Sequence, residues 1–548
     1  MTPKLPISRR TMFKGALAGA GAAALAPGRS EAAAPHGGAC AAPSMPVKLR
    51  WGQGFERQRK ADIGDGTYVN PIVPGDHPDP TILKDGKDYY MTFSSFESYP
   101  GLIIWHSRDL VNWRPIGPAL TRNIGSVWAC DIAKSNGRYF IYIPTVESNV
   151  GFKLWAVHAE RMEGPWSDPV DLGIPGCIDP GHAVGEDGKR YLFVNGIRRI
   201  RLTDDGLAAD GKLEQAYDAW HYPEDWVVES FAPEGPKILR HGGYFYIITA
   251  VGGTAGPPTG HMVIAARSKS INGPWEHCPY NPIVRTQSAD EPWWSRGHAS
   301  LVEGPAGDWW MVYHAYENGF RPLGRQTLLE PMEWTADEWP RALGGDLSRP
   351  LAKPRGGTAG PAGFPLSDDF SRNRFGTQWS FFEPSPDEMS RVRLQPGALS
   401  ITGRGKSAAD SSPLLCTVGD RGYEAEVTIE PEADSAGGLL LFYNHKAFVG
   451  VGFDGKSIHT IAQSEDLDWM RPPLMQRSVR LKVTNDKDIV TFRYSPDGGK
   501  SWKLVDLRME VSGYNHNTFG GFLALRIGLY STGNGKVGFS YFRYRALV

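Results

Sequence analysis

The chain has 548 residues, a formal net charge of -1 and an aromatic complement of 18 Trp, 21 Tyr and 23 Phe. At roughly 150 residues per domain it is too long for one core, and two domains are expected. The near-neutral balance excludes a basic surface for nucleic acid or anionic lipid, so a neutral partner is expected.

Residues 1–34 open with Ser8-Arg9-Arg10-Thr11-Met12-Phe13-Lys14, run through an Ala/Gly/Leu stretch from Gly15 to Ala26 and close on Ala32, Ala33 and Ala34. This order of charged, apolar and small segments resembles a twin-arginine export signal, and the apolar stretch is too short to span a bilayer. A periplasmic or secreted protein, with no membrane attachment in its mature form, is the expectation. Residues 35–67 read as an N-terminal extension. Cys40, Cys130, Cys177, Cys278 and Cys416 are scattered without CxxC spacing, which indicates neither a zinc site nor a disulfide framework.

From 68 to 342 one unit recurs five times. Asp85-Gly86 precedes Tyr89-Tyr90-Met91, Asn136-Gly137 precedes Tyr139-Phe140-Ile141, and Asp187-Gly188 precedes Tyr191-Leu192-Phe193. Gly242-Gly243 then precedes Tyr244-Phe245-Tyr246, and Ala306-Gly307 precedes Trp309-Trp310-Met311. Asn-Gly and Asp-Gly are preferred hairpin turns because their central positions need positive φ. The second residues of these turns lie 51, 51, 55 and 64 apart, a blade-sized period that predicts a five-bladed β-propeller. Counting back 7, 6, 9, 9 and 9 residues from these glycines reaches Asp79, Asp131, Asp179, Glu234 and His298. Four acids and a histidine at equivalent positions predict a polar ring at one mouth of the channel.

Residues 343–365 are rich in Gly, Pro and Ala, which is linker composition. Beyond them, 366–548 shows short alternating segments such as Tyr423 to Ile429, Gly438 to Tyr443, Phe448 to Phe453 and Leu525 to Tyr530, a pattern that predicts a β-sandwich.

Several motifs together resemble glycoside hydrolase family 43. They are Asn70-Pro71-Ile72 leading to Asp76-His77-Pro78-Asp79-Pro80-Thr81, then Ser94-Ser95-Phe96, Trp128-Ala129-Cys130-Asp131 and Ile178-Asp179-Pro180. Ala232-Pro233-Glu234-Gly235-Pro236, Gly297-His298-Ala299-Ser300 and Leu323-Gly324-Arg325-Gln326-Thr327 complete the set. One departure is Cys130, where the family commonly has proline. The resemblance covers residues 68 to 342, and the C-terminal part is similar to the concanavalin A-like domain, a jelly-roll sandwich, of that family's xylosidases.

By this resemblance Asp79 is the base that activates water, Glu234 the acid, and Asp179 the carboxylate that orients the acid and keeps its pKa high. Arg325 is implied to hold substrate hydroxyls. His298 corresponds to an axial histidine beside the sugar or a central calcium, and Phe96 and Trp128 are candidates for the sugar-pocket wall. An aromatic ring from the sandwich, Phe519 or Phe522, is implied to close the pocket to one or two sugars. The implied activity is inverting, exo-acting release of xylose or arabinofuranose from xylan-derived oligosaccharides, with no required cofactor. Ca2+ at the propeller axis is an open element. A non-catalytic sugar-binding propeller and a retaining fructan-type hydrolase or transferase are the competing readings, and the residues alone choose neither the pentose nor the oligomeric state.

Overall fold

The structure, a computed structural model, describes residues 49–147 and 151–547. The expected export signal lies outside the described residues. Secondary structure is almost entirely β, with one short α-helix at His516–Phe519 among the described residues.

Five antiparallel sheets follow one another along the chain. Their innermost strands are Thr81–Asp85, Asp131–Ser135, Gly181–Val184, Ser230–His241 and Trp293–Glu303. Each pairs with its successor, so every sheet is built on a meander of four strands in sequence order, the blade of a propeller, with one extra short strand in the second and fourth. The turn glycines work as expected: Asn136 and Gly137 both adopt positive φ, at 51° and 77°. Aromatic and aliphatic faces stack between adjacent blades; one such layer joins Tyr246, Ile248 and Val263 of the fourth blade to Trp293, Met311 and Tyr313 of the fifth. The ring closes where the Asn70 side chain brackets Leu329, accepting from its amide at 2.8 Å and donating to its carbonyl at 2.9 Å.

The second body is a sandwich of an eight-stranded and a seven-stranded sheet. The eight-stranded sheet ends, beyond Trp379–Phe382, on the two-residue strand Ser98–Tyr99, which belongs to the first blade. The two bodies therefore share a sheet as well as an apolar core, in which Phe96 packs with the sandwich residues. The stretch 343–365 is tied down: Leu351–Ala352 pairs with Thr67–Tyr68, and the Thr358 and Gly363 amides bond to the Arg108 and Trp113 carbonyls. The N-terminal extension is bound at the junction too, with Glu56 accepting from the Leu366 and Ser367 amides and Arg59 reaching Glu317 at 2.8 Å.

Candidate active site

The channel mouth is built from backbone upward. Asp79, Asp179, Gly235 and His298 adopt φ of 56°, 56°, 61° and 59° at corresponding points of the first, third, fourth and fifth blades. Left-handed backbone is uncommon outside Gly, Asn and Asp, and such strain collects at functional sites. Glu234 stands one residue before Gly235. Gly235 is required here, because a Cβ would lie 2.5 Å from His298 Nε2.

Asp131 does not join this layer, which corrects the single ring expected from the sequence. Its Oδ1 accepts from Thr81 Oγ1 at 2.9 Å, so it sits level with the residue two past Asp79. The cause is the glycine's place in the turn and not the turn's length in these two blades: Gly86 opens its two-residue turn and Gly137 closes its own, so Asp79 lies six residues before the end of its strand and Asp131 four. The inner hairpins turn over residues 86–87, 136–137 and 242–243 in three blades but over 185–189 and 304–308 in the other two. Counting from the turn glycine therefore misplaces the register.

In the upper layer Asp79 is 5% exposed and surrounded by donors. Arg325 Nη1 donates to its Oδ1 at 2.8 Å and Ser94 Oγ donates to its Oδ2 at 2.6 Å. His298 Nδ1 lies 3.4 Å from Oδ1, and His314 Nδ1, 3.1 Å from the same oxygen, accepts the Asp79 amide at 3.1 Å. Burial works to raise the Asp79 pKa, but Arg325, His298 and His314 outweigh it and hold the carboxyl well below the usual range. Asp179 and Glu234 go the other way. Burial, then the charge of Asp79, raises Asp179; burial, then the charges of Asp179 and Asp79, raises Glu234 well above normal. Asp179 Oδ2 accepts the Gly235 amide at 3.1 Å, which ties the third carboxylate to the residue after Glu234. Arg325 Nε is buried without a protein partner, a donor free for a ligand oxygen.

The layer below is closed by Lys237. Its ammonium donates to the Cys130 carbonyl and Asp131 Oδ1, each at 2.8 Å, and approaches the Pro180 carbonyl at 3.4 Å. Asp131 Oδ2 accepts the His182 amide at 2.8 Å. Gly181 makes this crossing feasible, because a Cβ there would lie 1.8 Å from the Pro236 carbonyl oxygen. Burial pushes the Cys130 thiol up to about 12, which leaves it inert.

Asp79, His298 and His314 are the residues whose donor atoms could converge on a metal. They do not suit calcium, which takes six to eight oxygen ligands. Two of the three donors are imidazoles, burial holds both rings below their ordinary pKa, and the Asp79 oxygen they face already accepts from Arg325.

An aromatic wall completes the site. Phe522, carried on a sandwich loop, lies parallel to Phe96 at 6.5 Å and edge-on to Trp128 at 5.6 Å. The Arg325 guanidinium is 5.7 Å from the Phe96 ring and 5.3 Å from the Phe522 ring. Phe519 instead packs on Tyr443 and Tyr514. The structure thus brings together Asp79, Asp179, Glu234, Phe96, Trp128, His298 and Arg325 with Phe522, and leaves Asp131 and Phe519 outside the group. Sequence reasoning missed Ser94, His314 and Lys237. Ser94 lies within a quoted motif but was given no role, and Lys237 is bonded mostly to carbonyl oxygens, which a sequence does not display. A cavity of about 160 Å³ lies between propeller and sandwich and is not lined by Asp79, Asp179 or Glu234.

Residues 68–340 match the model of Glycosyl hydrolases family 43, and 367–545 match the Beta xylosidase C-terminal Concanavalin A-like domain. A non-reducing end alpha-L-arabinofuranosidase of Bacteroides ovatus is 28% identical over 88% of this chain and 96% of its own. A xylan 1,3-beta-xylosidase of a Vibrio species is 33% identical over 62% of this chain and 69% of its own. The crystal structure of a xylan beta-1,4-xylosidase from Bacillus halodurans C-125 superposes with a TM-score of 0.78 at 26% identity, covering 87% of this chain and 99% of that one. With the family model, the sandwich model and these relatives in agreement, the chain is a glycoside hydrolase and belongs to glycosyl hydrolases family 43.

Proposed function

We propose that the enzyme releases single xylose or arabinofuranose units from the non-reducing ends or branches of xylan-derived oligosaccharides, with inversion at the anomeric carbon. The observation that carries this reading is the opposed displacement of the site's acids: Arg325 keeps Asp79 ionised while Asp179 and Glu234 share a raised proton affinity. Environments that push carboxyl pKa values apart assign base and acid. In the proposed reaction Asp79 takes a proton from water as the water oxygen bonds to the anomeric carbon. The bond from that carbon to the leaving oxygen breaks, and Glu234 delivers its proton to that oxygen. Asp179 acts through Glu234, its negative charge disfavouring ionisation of the acid, and its bond to the Gly235 amide fixes where the acid points.

Exo action is supported by the aromatic wall, since Phe522, Phe96 and Trp128 enclose one side of the mouth, leaving room there for a terminal unit. Arg325 Nε and the rings supply polar and apolar contacts for a pentose. A purely sugar-binding role would not need carboxyls driven to opposite protonation states. The twin-arginine pattern supports action outside the inner membrane on soluble saccharides. Proton NMR of the first products from paired aryl xyloside and aryl arabinofuranoside substrates tests both parts. An inverted anomer from one of the pair is expected; a retained anomer overturns the mechanism, and turnover of neither overturns the substrate class.

A further inference from the structure

Between Glu214–Gln215 and Ser230–His241 the chain runs through 216–229 without a strand or helix. Loops of this length inside compact domains usually bind something or cover a site. This one is unusually aromatic. Trp220 and Trp226 meet edge to face at 6.4 Å, Arg285 lies 3.4 Å over the Trp226 ring, and His221 stacks on Phe231 with ring centres 4.4 Å apart. Val227 is 72% exposed and Phe231 42% exposed. Exposed apolar clusters of this kind mark binding surfaces more often than they occur by chance.

Position gives the cluster its occupant. Phe231 stands three residues before Glu234 on the same strand, within about 10 Å of chain. Glu229, at the loop's end, is near enough to Glu234 for its charge to act on it, and is fixed by the Ala255 amide at 2.7 Å. A general acid protonates the leaving oxygen, so the sugar that departs lies on the acid's side of the site. Phe96, Trp128 and Phe522 stand over the first two blades, whereas Phe231 rises from the fourth. One face of Phe231 is occupied by His221, and its exposure shows that the ring is not enclosed.

We propose that Phe231, backed by His221, is the platform for the sugar on the leaving-group side of the scissile bond, which for xylan fragments is a xylopyranose whether the released unit is xylose or arabinofuranose. Ring faces of aromatics pack against the apolar C–H faces of pyranoses, and the stacked imidazole fixes the ring's tilt. The inference rests on the pentosidase reading above.

The test is the ratio of kcat/KM on a xylan-derived oligosaccharide to kcat/KM on the matching pentosyl fluoride, which has no leaving sugar. In Phe231→Ala the ratio is expected to fall about tenfold, the equivalent of one lost stacking contact, and Phe231→Tyr is expected to restore it. Trp469→Ala, which removes an exposed ring at the far end of the sandwich sheet, serves as the control and is expected to keep the ratio. Wild-type turnover of the fluoride bears on the pentosidase reading by itself. A ratio within twofold of wild type in Phe231→Ala, or equal losses on both substrates, overturns the platform and leaves that reading standing.

Discussion

Two groups of carboxylates lie one layer apart in the same channel and treat buried charge in opposite ways. Asp131 is saturated: Thr81, Lys237 and the His182 amide supply donors to both its oxygens, and the bonds reach across four blades. Asp179 has the Gly235 amide, and among the described residues no hydrogen bond reaches the Glu234 carboxyl. Burying a carboxylate is costly unless it is paired: Asp131 has its cation at 2.8 Å, whereas burial and neighbouring charge raise the proton affinity of Asp179 and Glu234. The satisfied charge of Asp131 is scaffolding, and the raised pair beside Asp79 is the source of the proton that the chemistry needs.

Breaking the upper group should have the largest effect. Asp79→Ala is expected to lower kcat by about 10³ to 10⁴-fold on every substrate, because no other group is placed to activate water. Glu234→Ala should cost about 10² to 10³-fold on oligosaccharides and far less on aryl glycosides with acidic leaving groups. Equal losses on both substrate types, measured in steady state, would remove Glu234 from the acid role.

Breaking the lower group should instead show as stability. Lys237→Met leaves Asp131 buried with its cation gone, an imbalance expected to cost about 3–5 kcal/mol in chemical denaturation. Adding Asp131→Asn should recover part of that loss, since the uncompensated charge goes with it. Prolonged chelation is expected to leave kcat within about twofold, because the donor set of Asp79, His298 and His314 is unsuited to calcium. Loss of activity on chelation, restored by calcium, would contradict this.

The smallest effect sharpens the comparison through pH. Glu234 has a folded pKa above its unfolded value, so the stability it contributes is complete below the unfolded carboxylate range and fades as pH rises through the raised value. Glu234→Gln removes that loss. Its apparent Tm should exceed that of wild type at neutral pH, with the gap widening toward alkaline pH and closing in acid.

The repeat itself was legible because two-residue turns demand residues that tolerate positive φ, and those are few. The catalytic frames were legible for a related reason: Asp79 between two prolines and Asp179 before one sit in left-handed backbone that few residue types accept. Register was not legible, because 185–189 and 304–308 replace the two-residue turns of the other blades and slide the count. Asp131 was misplaced because Gly86 opens its turn and Gly137 closes its own, which masks part of the two-residue offset between the first two blades. Lys237 escaped notice because its partners are mostly carbonyl oxygens, which leave no trace in a sequence. Phe522 was left unresolved against Phe519 because both flank glycines in one loop, and only their partners in space separate them, Phe96 and Trp128 for Phe522 against Tyr443 and Tyr514 for Phe519. Short strands such as Leu414–Cys416 and Ser98–Tyr99 are set by their neighbours in the sheet rather than by any pattern of their own.

That last strand bears on how such enzymes can be recombined. Ser98–Tyr99 caps the edge of the sandwich sheet at Phe381 and Phe382. Cutting the chain in the 343–365 stretch would strip the cap from one partner, exposing unpaired backbone beside two large rings, a template for intermolecular strand pairing. The propeller would lose Phe522 from its mouth in the same cut. Modularity visible in the sequence is therefore not modularity of inheritance: each half carries the other's unfinished edge, and the two must be exchanged as a pair.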